Sequence, residues 1–203
     1  KGVKVGSRII SLANGPRFIA AKRSDRSMDQ FYNHDDKEAE KKKTQYTTFD
    51  DAGRFTGFAV REEGNNIVVT ATYKLGCFDQ AVWTIAPDGT AAIDFTYNFS
   101  GVVDLMGVMF DYPEDKVLSK RWVGDGPYRV WQNRLHGPQL GVWENEYNDP
   151  IPAESFTYPE FKGYFANVQW MTLKTQEGTI SICNRTPQNY VGVYPVSYTH
   201  LRA

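Results

Sequence analysis

The chain has 203 residues, 41% of them apolar and 23% charged, the composition of a folded globular protein rather than a disordered one. Its 23 Lys and Arg are balanced by 24 Asp and Glu for a net charge of -1, so the basic excess that phosphate neutralisation requires is missing and no nucleic-acid partner is expected. No apolar run approaches the roughly 18 residues of a membrane helix, and no membrane partner is expected either.

In chain order, the first signals come from the ends. The sequence opens on Lys1 rather than Met, with no charged-then-apolar leader. Its last stretch, 196–203, resembles translated adapter read-through from assembled environmental DNA. The expectation is one β-sandwich domain over 1–195, cut at both ends, followed by a non-native tail.

From 23 to 51 the chain is polar and charged. Within it Asp35-Asp36-Lys37-Glu38-Ala39-Glu40-Lys41-Lys42-Lys43 sets acids ahead of bases at helical spacing, which predicts a short exposed helix on a surface excursion.

The rest reads as strands. Runs at 54–62 and 67–75 flank Glu63-Gly64-Asn65-Asn66, a hairpin signal because Gly and Asn tolerate positive φ. Runs at 79–86 and 90–99 flank Pro87-Asp88-Gly89. In the second of these Ile93, Phe95, Tyr97 and Phe99 alternate with Asp94, Thr96 and Asn98, the period of a half-buried strand. A third hairpin is predicted from 165–174 to 179–183 through Thr175-Gln-Glu-Gly178. Antiparallel neighbours without helical crossovers predict an all-β chain folded as a large antiparallel sandwich.

Cys77 and Cys183 permit at most one disulfide, and buried free thiols are the plainer expectation. No nucleophile elbow of the Gly-x-Ser-x-Gly kind occurs, and Gly124-Asp-Gly126-Pro127 lacks the third glycine and following helix of a phosphate loop. His34-Asp35-Asp36 is contiguous, and contiguous side chains rarely converge on one ion, so it reads as a solvated loop; no metal or cofactor is called for. Asn98-Phe-Ser100 and Asn184-Arg-Thr186 fit the short N-glycosylation pattern, which is frequent by chance.

The chemistry concentrates between 122 and 147, where Trp122, Tyr128, Trp131, Trp143 and Tyr147 are mixed with Asp125, Gln132, Asn133, Arg134, His136, Glu144 and Glu146. Flat rings beside planar polar groups suit a sugar, whose C–H face stacks and whose hydroxyls pair. They equally suit a sandwich rim in which indoles are buried and their N–H groups bonded. On a strand, Glu144 and Glu146 point to one side with β-carbons about 6.5–7 Å apart. A glycosidase pair must instead flank the bond from opposite sides, so catalysis by these two is not expected.

At these residues a family resemblance enters. Trp122-Val-Gly-Asp-Gly-Pro-Tyr-Arg-Val-Trp-Gln-Asn-Arg134 resembles the signature of the C-terminal, small-chain or domain 5-like sandwich of family 2 glycoside hydrolases of the β-galactosidase type. Gly124, Gly126 and Pro127 match its turn and Arg134 its arginine, while Trp131 stands where the family has Tyr and Asn133 where it has Asp. Tyr158-Pro159-Glu160, Gly163, Val168-Gln-Trp170-Met-Thr-Leu173 and the Glu177-Gly178 turn follow the family's order, and Ser11-Leu-Ala-Asn-Gly-Pro16 is similar to its opening segment.

The resemblance implies a galactose-mutarotase-like supersandwich whose catalytic glutamates sit on a separate barrel of the same parent chain. A barrel takes about 250 residues of strand–helix alternation, which is not found here. The expected function is an accessory domain that packs on that barrel and contacts a galactoside or related glycan through Trp131, Arg134, Trp143, Glu144, Glu146 and His136, with no catalytic residue of its own. Two alternatives stand beside it: a free-standing carbohydrate-binding module, and a mutarotase-like epimerase in which His136 converges with Glu144 or Glu146.

Overall fold

A computed structural model describes residues 3–12, 16–23, 46–50, 53–103, 105–127, 136–146, 165–186 and 188–193. The described residues are almost all strand, arranged in antiparallel sheets, with a single 3-10 turn at Glu114–Lys116 and no α-helix among them. The all-β architecture read from the alternating patterns is the one observed. The chain divides into two compact units, one formed by 12–111 and the other by 2–11 with 112–203.

The first unit holds two antiparallel sheets. Strands β5 (Arg54–Glu63), β6 (Asn66–Lys74), β7 (Phe78–Ile85) and β8 (Ala91–Tyr97) form a meander in sequence order. The β5–β6 and β7–β8 hairpins turn where the sequence placed them, at Gly64 (φ 61°) and Gly89 (φ 87°), positions that only a residue tolerating positive φ fills without strain. The second sheet has the order β4-β3-β9, from β3 (Arg17–Arg23), β4 (Tyr46–Asp50) and β9 (Leu105–Met109).

Phe18 and Ala20 of β3 pack with Phe78 and Ala81 of β7, all four completely buried. Rings supply most of the filling: Phe18 lies 5.1 Å from Tyr97 and 5.5 Å from Phe99, and Tyr73 lies 4.8 Å edge-on to Phe78. Offset and edge contacts of this kind add to the area that the rings bury.

The second unit is built on a four-stranded sheet of order β11-β10-β12-β13, from β10 (Val117–Gly126), β11 (Gln139–Glu146), β12 (Trp170–Thr175) and β13 (Gly178–Cys183). A separate hairpin joins β1 (Val3–Val5) and β2 (Arg8–Ile10). Trp122, Phe165, Val168 and Met171 form its core, with the Trp122 and Phe165 rings 4.6 Å apart.

Three expectations need correction. Part of the polar excursion is strand: Tyr46–Asp50 pairs with β3, from Ile19↔Asp50 to Arg23↔Tyr46, because strand pairing follows from the neighbour's register and not from local polarity. The third hairpin is real, but its first strand starts at Trp170, not 165. Ahead of it Asn167 takes a positive φ of 51° and Phe165 bridges to Val191, which interrupts the regular ladder there while single backbone bonds to β10 persist. The thiols are free, but Cys183 is exposed and Cys77 only half-buried. The proposed helix at 35–43, His34, the 158–163 stretch and the tail at 196–203 lie outside the described residues.

Candidate functional site

The two glycines of Gly124-Asp-Gly126 explain how the β10–β11 ribbon is built. Trp122 pairs across with Trp143 and Gly124 with Gly141. The Trp143 indole lies back along the ribbon, and its Nε1 donates to the Gly124 carbonyl at 3.2 Å. A β-carbon on Gly126 would meet Trp143 Cδ1 and Nε1 at 2.4 Å, so only glycine leaves room for the ring. At Gly124 the obstruction is backbone: a β-carbon would sit 2.9 Å from the Ala166 carbonyl oxygen and 3.0 Å from Val168 Cα. That close approach lets Asp125 N–H donate to Ala166 O at 3.0 Å and Gln169 N–H to Val123 O at 2.9 Å.

Because strand side chains alternate, the face that carries Trp122, Trp143 and Met171 to the core sends the intervening residues to the opposite face. There the register sets three cross-strand rows. Val142, Val123, Trp170 and Cys183 form the first, Glu144, Arg121, Thr172 and Ser181 the second, and Glu146, Ser119, Lys174 and Thr179 the third. Glu144, Glu146, Arg121 and Lys174 are exposed, while Val123 and Trp170 are half-buried. At the end of β10 Asn167 Nδ2 donates to Asp125 Oδ2 at 2.7 Å, fixing a second planar polar pair.

An open face with one partly exposed indole, two carboxylates and a guanidinium has what a hydroxylated ring requires: a flat apolar platform and planar donors and acceptors beside it. The two carboxylates approach from one side, as their strand spacing dictated. They do not form the opposed pair of a glycosidase.

The sequence-derived contact residues are only partly brought together. Glu144 and Glu146 share the open face. Trp143 lies on the other face, half-buried against the core. His136 is exposed, three residues ahead of β11. Trp131 and Arg134 lie outside the described residues. Sequence reasoning overlooked Trp170 and Arg121 as members of this face; the available signal was alternation from Met171 and Trp122, legible once both are assigned to the core.

A second polar cluster in the same unit centres on Glu177, in the β12–β13 turn. Its carboxylate accepts from Lys116 Nζ, from Ser11 N–H at 2.8 Å and Oγ at 2.6 Å, and from the Tyr112 hydroxyl at 2.9 Å. Lys116 Nζ also donates to Ser11 Oγ at 3.0 Å. The Lys116 ammonium and the Ser11 donors hold the Glu177 carboxyl down at about 2, and Glu177 in turn raises Lys116 above its ordinary value. Burial raises Tyr112. Beside this cluster lies an open depression of ≈ 450 Å³ lined by Arg8, Ile9, Thr175, Gln176, Glu177 and Gly178. With its carboxylate so fully bonded, Glu177 acts as a clamp between the β1–β2 hairpin's end, the 112–116 segment and the β12–β13 turn, and has little acceptor capacity left for a ligand.

Comparison with known proteins gives one clear relation. No curated protein matches the chain. The family model described as "Beta galactosidase small chain" matches residues 6–202, nearly the whole sequence. The chain belongs to the β-galactosidase small-chain family.

Proposed function

We propose that this chain is the non-catalytic accessory sandwich of a family 2 β-galactosidase-like glycoside hydrolase, which packs on the catalytic barrel of its parent and lends a surface to sugar binding. The observation that carries the sugar-contacting part is the open face of β11-β10-β12-β13, where Trp170 lies one row from Glu144 and Arg121. Family membership supports the association with β-galactosidase chemistry. The single-sided placement of Glu144 and Glu146 supports a role in holding sugar rather than cleaving it.

Lactose titrated into the labelled chain and followed by amide chemical shifts tests the contact surface. The expected result is a set of shifts confined to Val142–Glu144, Arg121 and Trp170, lost in Trp170→Ala and weakened in Glu144→Gln. Shifts elsewhere, or none at high sugar concentration, overturn the surface. In parallel, the chain is expected to hydrolyse nitrophenyl β-galactoside at the uncatalysed rate. Turnover that disappears in Glu144→Gln would overturn the non-catalytic reading.

A further inference from the structure

Among the described residues, the first unit ends in an edge strand with no partner on its outer side. Among the described strands β5 has a neighbour on one side only, β6, so the backbone groups along its other side face outward. It is ten residues long, Arg54–Glu63. Long edges of this kind template further strand pairing unless charge, proline or a covering segment blocks them.

The side chains add a second feature. Phe58 and Val60 pair with Ala71 and Val69, which lead through Ala81 and Trp83 to the buried face of the sheet. That face is completely covered at Ala81, yet at the edge Phe58 is 68% and Val60 58% exposed, with Ile67 of β6 47% exposed beside them. The core-facing surface therefore continues outward as an apolar strip.

Arg54 stands alone at one end of the strand, while Arg61, Glu62 and Glu63 at the other carry a net negative charge, with Arg61 Nη2 3.0 Å from Glu63 Oε2, and a bulge falls between Phe55 and Gly57. A symmetric antiparallel pair keeps equivalent residues on the same face, so its twofold axis must pass through a residue position. With the axis at Ala59, Phe58 of each copy faces Val60 of the other. With Thr56 set out as the bulged residue, Arg54 then faces Glu63, and no like charges oppose one another. Moving the axis to Phe58 with the same bulge instead sets Arg54 against Arg61.

We propose that β5 is a self-association edge, taking β5 of a second copy of this chain antiparallel about Ala59 to make a continuous eight-stranded sheet. Backbone pairing supplies the ladder, the Phe58/Val60 strips of the two copies cover each other, and the paired Arg54 and Glu63 select the register. This inference stands apart from the sugar-contacting reading, which concerns the other unit.

Sedimentation of the full chain between low and high micromolar concentration tests it. A monomer–dimer equilibrium is expected, weakened at least tenfold in Val60→Lys, an exposed position where the change leaves the fold's core untouched. Arg54→Glu should also weaken it, and adding Glu63→Arg to that variant should restore it. In a Cys183→Ser background, Ala59→Cys should give an oxidised homodimer, because the two residues 59 face each other on the axis within disulfide reach. Thr96→Cys, on the opposite edge strand β8, should not.

A chain that stays monomeric at high micromolar concentration, or a dimer indifferent to both charge variants and not cross-linked through residue 59, overturns the proposal. Dimerisation through another surface would give the second result. An edge reserved for a different protein would give the first.

Discussion

Gly126 and Glu177 show how single residues govern local structure here, in opposite ways. Gly126 matters by what it lacks. Alanine there drives a methyl group to 2.4 Å from the base of the Trp143 indole, and the ring cannot swing aside without losing its bond to the Gly124 carbonyl. Gly126→Ala is expected to destabilise by about 1–3 kcal/mol, the usual range for overpacking. Denaturant unfolding followed by tryptophan fluorescence measures it, and a neutral result would mean that Trp143 has room that the ribbon does not display.

Glu177 matters by charge. Its carboxyl sits at about 2 in the folded chain against an ordinary value of 4.5, so the unfolded chain binds the proton first as pH falls. The contribution of the clamp is therefore complete above pH 4.5 and drains away between 4.5 and about 2. On the alkaline side the raised Lys116 value means that its share is complete below 10.5 and is lost only as pH rises through the folded value. Glu177→Gln should flatten the acid limb of a stability–pH curve while leaving the neutral plateau level in slope. Unfolding midpoints across an acid series check this; an unchanged acid limb would assign the loss to other carboxylates.

At the scale of elements, the register of β10 with its two neighbours decides the candidate site. One strand carries Trp122 to the core and Arg121 to the open face, and the same alternation places Met171 against Trp170 and Trp143 against Glu144. A one-residue slip would exchange the two sets. The buried set guards against that slip: exposing Trp122 and Met171 while burying Arg121 and Glu144 combines lost apolar burial with unpaired buried charge. The open face is thus positioned by residues that never reach it. The polar groups behind it are anchored in the same way, as in the buried Lys120 ammonium that donates to the Glu146 carbonyl at 2.8 Å.

For the molecule as a whole, two cores with no residue in common underlie two compact units. Trp122 is the largest fully buried side chain of its core, and Phe18 shares that place with Phe78 in the other. Truncating Phe18 or Trp122 to alanine is expected to cost about 3–5 kcal/mol. Amide exchange should separate the two: Phe18→Ala should lower protection first in β3 and β7, and Trp122→Ala first in β10 and β12. Uniform loss across all sheets in both variants would mean that the chain unfolds as a single cooperative body.

What the sequence determined by itself was the local part. Period-two alternation and Gly- or Asn-bearing turns gave the two hairpins of the first unit nearly to the residue, because both signals depend on backbone sterics and on neighbours close in the chain. The Trp122–Arg134 stretch with its Gly124-Asp-Gly126-Pro127 turn and the later Val168-Gln-Trp170-Met-Thr-Leu173 run carried the family likeness, and the matching family model spans 6–202. Tertiary structure decided which side of a strand faces out, and hence that Trp143 packs against the core while Trp170 and Arg121 accompany Glu144. It also placed Tyr46–Asp50 in a sheet despite its polar surroundings, and started β12 at Trp170. It brought Ser11, Tyr112 and Lys116 onto Glu177 across as many as 166 positions of sequence. Such choices rest on contacts between residues far apart in the chain. No local pattern encodes them, because the partner's register and its burial set the free energy of each arrangement.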